Sequence, residues 1–234
     1  MPFSILLIRL SSLGDVLLTS PLARELRRAY SEATGERLLL DVCTGAAESE
    51  IYRHNPHCDA VYAYNRSWSR GEIEAWKRDI LAELAAREGA KRYDLVLDLQ
   101  RNARSRRVRA GLGACVRVLS KPRLRTLALL ALGAKARSLG ALPHVVERYR
   151  DATKGAAKDD GEGLEFWLPE ERAGAVYPPL ARIPPTPSVI ADKSLVRIGI
   201  APGAKHATKR WLPSYFAEAA ALAGKRIASA TGCG

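Results

Sequence analysis

Short apolar runs alternate along this chain with longer stretches in which apolar residues recur every three or four positions. The runs Ile5 to Arg9, Leu38 to Val42, Ala60 to Tyr64, Leu95 to Leu99 and Cys115 to Leu119 each read as a strand. Between them the spacing predicts helices. The first follows Ser11-Ser12-Leu13-Gly14 and runs toward Tyr30; Pro21 is expected to kink or restart it, with Thr19 or Ser20 available as a cap. EIEAWKRDILAELAARE, residues 72 to 88, places Ile73, Trp76, Ile80 and Leu84 on one face, which is expected to pack on a sheet. Strands alternating with helices in this way predict an α/β fold built on a parallel sheet.

The pattern breaks between residues 173 and 194, where five prolines within positions 178 to 188 forbid regular helix or a central strand. A linker is expected there, dividing a first domain, 1–172, from a second that begins at 195. LVRIGIAPGAKHATKRW, residues 195 to 211, reads as a new strand and a glycine turn, followed by a helix from Pro213 toward Ala223. From Leu195 to Gly234 there are 40 residues, short of the roughly 100 of an ordinary domain. The closing KRIASATGCG is small and polar where the next buried strand is expected. No repeat of solenoid period is visible.

Composition adds a bias in charge. Lys and Arg total 37 against 25 acidic residues, a formal charge of +12, which favours anionic partners such as phosphates, nucleic acids or anionic membranes. A GC-rich coding bias is the competing source of the same excess. The four cysteines, at 43, 58, 115 and 233, form no CxxC pair, so neither a zinc site nor a disulfide framework is indicated and a reducing cytoplasm fits best. MPFSILLIRL lacks the basic start of a signal peptide, Arg9 interrupts its apolar run, and no window is long and apolar enough to span a membrane.

Three stretches carry candidate chemistry. SSLGD, residues 11 to 15, sits in the first strand-to-helix loop, a favoured ligand position in a parallel sheet. Gly14 would let backbone approach a ligand, Ser11 and Ser12 would donate hydroxyls, and Asp15 would project as a base; alternatively, Asp15 caps the helix. PGAKHATKRW, 202 to 211, repeats that placement in the second half, where a lysine would neutralise a diphosphate leaving group, or the stretch would be a solvated basic turn. Trp211 reads as a packing anchor. Lys91 to Arg125 holds eleven Lys and Arg against two Asp, including RNARSRRVR at 101 to 109, suited either to a phosphorylated ligand or to an exposed helix. His144 reads as structural or as the first residue of a helix, and His54 and His57 are too isolated for a metal triad.

ILLIRLSSLGDVLLTSPLARELRRAY, RYDLVLDLQRNARSR, HVVERYRDA and APGAKHATKRWLPSYFAEAAALAG occur in the order found in the ADP-heptose:lipopolysaccharide heptosyltransferases. From residue 4 to about 224 the chain resembles that family, glycosyltransferase family 9. The resemblance implies a GT-B architecture: a Rossmann-like acceptor-side domain, then a Rossmann-like donor-side domain of which this chain holds the beginning. It implies an inverting transfer of heptose to the lipopolysaccharide inner core, without metal or other cofactor. Asp15 would be the general base, and Lys209 would steady the diphosphate with Thr208 beside it. Ser11, Ser12 and Gly14, in the same loop as Asp15, would also bind the donor phosphates, and Arg101 and Arg104 would meet an anionic acceptor. The implied partners are ADP-heptose or a related nucleotide-sugar and the lipopolysaccharide core, at the cytoplasmic face of the inner membrane, with no nucleic acid.

The family's second domain continues through further strand–helix units that have no counterpart here, so a truncated product with impaired donor binding is expected. Competing readings are a relative that uses another nucleotide-sugar and a non-catalytic domain that binds anions or nucleic acid. No RNP aromatic motif, KH loop or zinc knuckle supports the last.

Overall fold

The computed structural model describes residues 2–120, 143–168 and 211–231. By contacts the chain divides into two compact units, Met1–Pro169 and Glu170–Gly234. The proline-rich stretch and the strand expected from Leu195 lie outside the described residues.

The first unit is a five-stranded parallel sheet in the order β3-β2-β1-β4-β5. Its strands are β1 (Ser4–Arg9), β2 (Leu39–Gly45), β3 (Ala60–Tyr64), β4 (Tyr93–Asp98) and β5 (Gly113–Val118). β1 is central, with Ile5 opposite Leu40 of β2 on one side and Leu95 of β4 on the other. Because side chains alternate along a strand, Ile5 and Leu7 enter one core and Leu6 and Ile8 the other.

On the Ile5 side lie α1 (Leu13–Leu17), α2 (Ser20–Thr34) and α6 (Val145–Asp151), contributing Val16, Leu22, Leu26 and Tyr149. Pro21 restarts the helix as expected: α1 stops at Leu17, and Pro21 occupies the first turn of α2, where its missing N–H costs nothing. Thr19 precedes α2, but its hydroxyl donates back to the Val16 carbonyl at 2.6 Å instead of capping. A short 3-10 turn and α3 (Glu50–Arg53) complete that half. On the Leu6 side, α4 (Arg70–Glu88) and α5 (Ala103–Arg109) pack Ile73, Ile80, Leu84 and Val108 against the sheet, with Trp76 half-buried at the margin. The expected face of α4 is the one observed.

Residues 159–168 form an irregular strap along α2. In the second unit the described residues form α7 (Pro213–Thr231). It runs past the expected Ala223 into the small, polar stretch that was expected to replace a strand. Alanine and lysine favour helix, and Gly224 costs only about 1 kcal/mol within it.

Strand order reverses direction at β1: β2 and β3 extend one way, and β4 and β5 the other. In an open parallel sheet the crevice beyond the strand ends at such a reversal is where ligands bind. Here it lies between the carboxyl ends of β1 and β4.

Candidate active site at the β1–β4 crevice

β1 ends in Arg9, and the loop after it carries Leu10, Ser11 and Ser12 into α1. β4 ends in Asp98, and its loop carries Leu99 to Asn102 into α5. The two loops are bonded to each other. Gln100 Oε1 accepts from the backbone N–H of Leu10 at 3.1 Å and of Ser11 at 3.2 Å. Arg9 NH1 donates to the Leu99 carbonyl at 2.6 Å.

Asp15 stands in the first turn of α1, partly exposed at the rim of this crevice. Its carboxylate accepts from Ser12 N and Oγ, so it serves the helix start, and it pairs with Arg9 NH2 at 2.7 Å. Burial alone would raise its pKa, but the Arg9 charge and the Ser12 hydrogen bonds outweigh it and hold the group below the usual carboxylate range. Asp15 is thus both a cap and an ionised, solvent-reachable carboxylate.

Both serines take part in the local hydrogen bonding. Ser11 is buried and its N–H is taken by Gln100, while both the N–H and the hydroxyl of Ser12 are taken by Asp15. Gly14 is exposed within the first turn of α1, and a side chain placed there would touch nothing within 4 Å. Lys209 and Thr208 lie outside the described residues. Trp211, in the second unit, packs its ring on Tyr215 and Phe216 of α7 at 5.6 and 5.1 Å.

The β4 end is organised by Asp98, a residue that sequence reasoning passed over. Buried to 1% exposure, it accepts from Gln100 N at 3.0 Å and Arg101 N at 2.8 Å through one oxygen. Its other oxygen accepts from Ser105 Oγ at 2.9 Å and Arg109 at 3.1 Å. This holds Arg101 at a φ of 49°, a left-handed conformation that non-glycine residues seldom adopt. Beside it opens a groove of about 760 Å³ lined by Asp98, Arg101, Asn102, Arg106, Arg109 and Ser120. Arg101 lines this groove and Arg104 does not, whereas Arg106 and Arg109 do, because successive helical positions point about 100° apart.

Beneath Arg9, the Tyr149 ring of α6 lies 5.7 Å from the guanidinium carbon. His144 starts that helix, its Nδ1 accepting from Val146 N at 3.4 Å. His57 faces Glu165 at 3.7 Å. Among the described residues, one carboxylate group has metal-like spacing, Glu25 with Asp159 and Asp160. Arg150 pairs with Glu25 and Asp159, and Arg24 with Asp160, so guanidinium groups already neutralise it. Cys43, Cys58 and Cys115 are free thiols.

Residues 82–228 match the family model described as glycosyltransferase family 9 (heptosyltransferase). The chain belongs to glycosyltransferase family 9. The match begins inside α4, so it takes in the Asp98 loop and α5, while the Asp15 loop precedes it. Similar solved structures of this family's fold include a family 9 glycosyl transferase from Veillonella parvula DSM 2008. It is 18% identical with a TM-score of 0.60, covering 95% of this chain and 60% of that one. Another is the E. coli ADP-heptose lps heptosyltransferase II, 19% identical with a TM-score of 0.54, covering 96% of this chain and 62% of that one. The family 9 chain thus has the α/β, GT-B type fold and spans about 60% of the length of these relatives. No curated protein matches it.

Proposed function

We propose that the first unit forms the acceptor side of an inverting glycosyltransferase site in which Asp15 is the general base. The observation that carries this reading is the placement of an ionised, partly exposed carboxylate at the strand-order reversal of a family 9 chain. The donor is a nucleotide-diphosphate sugar. ADP-heptose is the choice suggested by the name of the similar E. coli structure.

In the transfer, an acceptor hydroxyl oxygen attacks the anomeric carbon from the face opposite the diphosphate. The hydroxyl proton passes to Asp15, and the bond to the diphosphate breaks with its electron pair leaving on ADP. A carboxylate with a low pKa is a modest base, so the proton moves late, once the attacking oxygen has become acidic by bonding. Lys209 and Thr208 are assigned to the diphosphate, where a cation offsets the charge that builds as the bond breaks. The arginine groove beside α5 suits an acceptor bearing phosphate, such as the lipopolysaccharide inner core, with Arg101 and Arg106 as its contacts. Among the described residues no helix is long and apolar enough to cross a membrane. Peripheral contact with the inner membrane is assigned to a lipid-linked acceptor from the family resemblance.

The test is Asp15→Asn in the full chain, assayed with ADP-heptose and a core acceptor. Transfer should fall by about 10²–10⁴-fold, the usual worth of general-base catalysis, with the fold kept and the thermal midpoint lowered only by the loss of the Arg9 pair. Transfer at the parent rate would remove Asp15 from the chemistry.

A further inference from the structure

The bonds that hold Asp15 all converge on one of its two oxygens. Oδ2 accepts from Arg9 NH2 at 2.7 Å, from Ser12 Oγ at 3.1 Å and from Ser12 N at 3.2 Å. Oδ1 has no such partner among the described residues, although the side chain is 38% exposed. Arg9 is itself immobilised. It projects from the central strand, is 11% exposed, donates NH1 to the Leu99 carbonyl at 2.6 Å, and lies over the Tyr149 ring. One guanidinium therefore joins the carboxylate of α1 to the backbone after β4.

We propose that Arg9 is a positioning residue that fastens Oδ2 of Asp15 and so assigns Oδ1 as the atom that receives the acceptor's proton. This rests on the reading of Asp15 as the base. When the acceptor oxygen bonds to the anomeric carbon, its O–H electron pair stays on that oxygen and the proton binds a lone pair of Oδ1. Asp15 becomes a neutral acid whose Oδ2 is now a carbonyl oxygen, still able to accept from Arg9 and Ser12. The clamp survives the step. Protonation at Oδ2 would instead force a new O–H into the place already held by the Arg9 donor.

The charged and titratable groups around the pair are few. Arg9 faces Asp15 from β1, and Tyr149 from α6 feels both, with Arg148 of α6 also acting on Tyr149. Among the described residues no second carboxylate acts on Asp15, whose titration is set by burial, Arg9 and the Ser12 bonds, so a variant at Arg9 alone isolates the part due to Arg9.

The experiment follows the Asp15 carboxyl carbon by ¹³C NMR through a pH titration of the full chain. Removing the adjacent cation in Arg9→Met should raise the Asp15 midpoint by about one to three units. Arg9→Lys keeps the charge but not the planar fork, so a smaller rise is expected. A purely structural Arg9 would lower the thermal midpoint and leave the Asp15 titration in place, and that result overturns the proposal. If Arg9→Met does not fold, Arg9→Lys decides: an unmoved midpoint overturns it, a raised one supports it. In the transfer assay, the acid limb of the kcat/KM profile should move up with the Asp15 midpoint in Arg9→Lys, with kcat falling more than KM changes. Should Asp15→Asn retain transfer, the base reading and with it the role of Oδ1 fall, while a shifted titration would still show that Arg9 fastens the carboxylate.

Discussion

Arg24 of α2 grips Asp160 of the strap through two hydrogen bonds, Nε to Oδ2 at 2.7 Å and NH2 to Oδ1 at 2.8 Å, with both side chains 6% exposed. The same guanidinium reaches Glu165 at 2.7 Å and the Gly163 carbonyl at 3.1 Å. A desolvated pair of this kind adds little over an apolar contact, but removing one partner strands the other in a poor solvent. Arg24→Ala, which leaves Asp160 and Glu165 uncompensated, is therefore expected to destabilise the first unit by about 3–5 kcal/mol. Urea unfolding measures it; a loss below about 1 kcal/mol, the scale of an exposed pair, would show that the strap does not depend on this contact.

Acid should act on the same clasp. Hydrogen bonding from Arg24 holds the Asp160 carboxyl well below its ordinary value, despite burial, and Asp15 is displaced in the same direction. A group whose pKa is lower in the folded state stabilises the fold at pH above its unfolded value of about 3.9. That contribution is lost as pH falls toward the folded value. The urea midpoint should be level above about pH 5 and decline below it, and Asp160→Asn should show a shallower decline from a lower starting midpoint. Parallel curves for the two proteins would exclude Asp160 as a source of the acid sensitivity.

Tyr149 offers the opposite case. Its ring is fully buried against Arg9, and its hydroxyl has no hydrogen-bond partner among the described residues. Burying a hydroxyl without a partner costs about 1–3 kcal/mol. Tyr149→Phe keeps the ring and removes the penalty, so the thermal midpoint should hold or rise. A clear drop would mean that the hydroxyl is bonded in solution, through water or ligand.

The groove beside α5 separates two arginines that are near neighbours in the chain. Arg106 lines it and Arg104 does not. A charge-assisted hydrogen bond is worth about 1.5–3 kcal/mol, so Arg106→Ala should weaken a phosphorylated acceptor by about tenfold or more, more so at low salt, without moving the thermal midpoint. Arg104→Ala should leave both unchanged. Equal losses in the two variants would point to a diffuse field in place of a contact.

The order of strands and helices was readable because each local preference agrees with its neighbours. Ala60–Tyr64 has the expected bounds, and Pro21 restarts the helix for the reason given by its missing N–H. β2 runs on to Gly45 because Thr44 and Gly45 find partners in Ala63 and Tyr64, a pairing that no apolar pattern signals. Asp15 was visible as a carboxylate after an apolar run. Arg9, Asp98 and Gln100 were not seen as its surroundings: a polar residue at the end of a strand looks like the start of a loop. Arg9 and Leu99, and Leu10 and Gln100, meet across 90 positions of chain that only the sheet order brings together. That Arg106 and not Arg104 lines the groove required knowing which side of a seven-residue helix faces the β4 loop.

The Gln100 amide bridges two backbone N–H groups of the neighbouring loop, which makes the floor of the crevice a single stiff platform and not a pair of independent fingers. Under the proposed function, differences in acceptor shape then fall to Arg106 at the rim, since Arg109 is bonded to Asp98 and Arg101 to the Leu119 carbonyl. Diversification of this scaffold toward new acceptors should accordingly proceed by exchanging rim residues, while changes to the platform itself would disturb every acceptor alike.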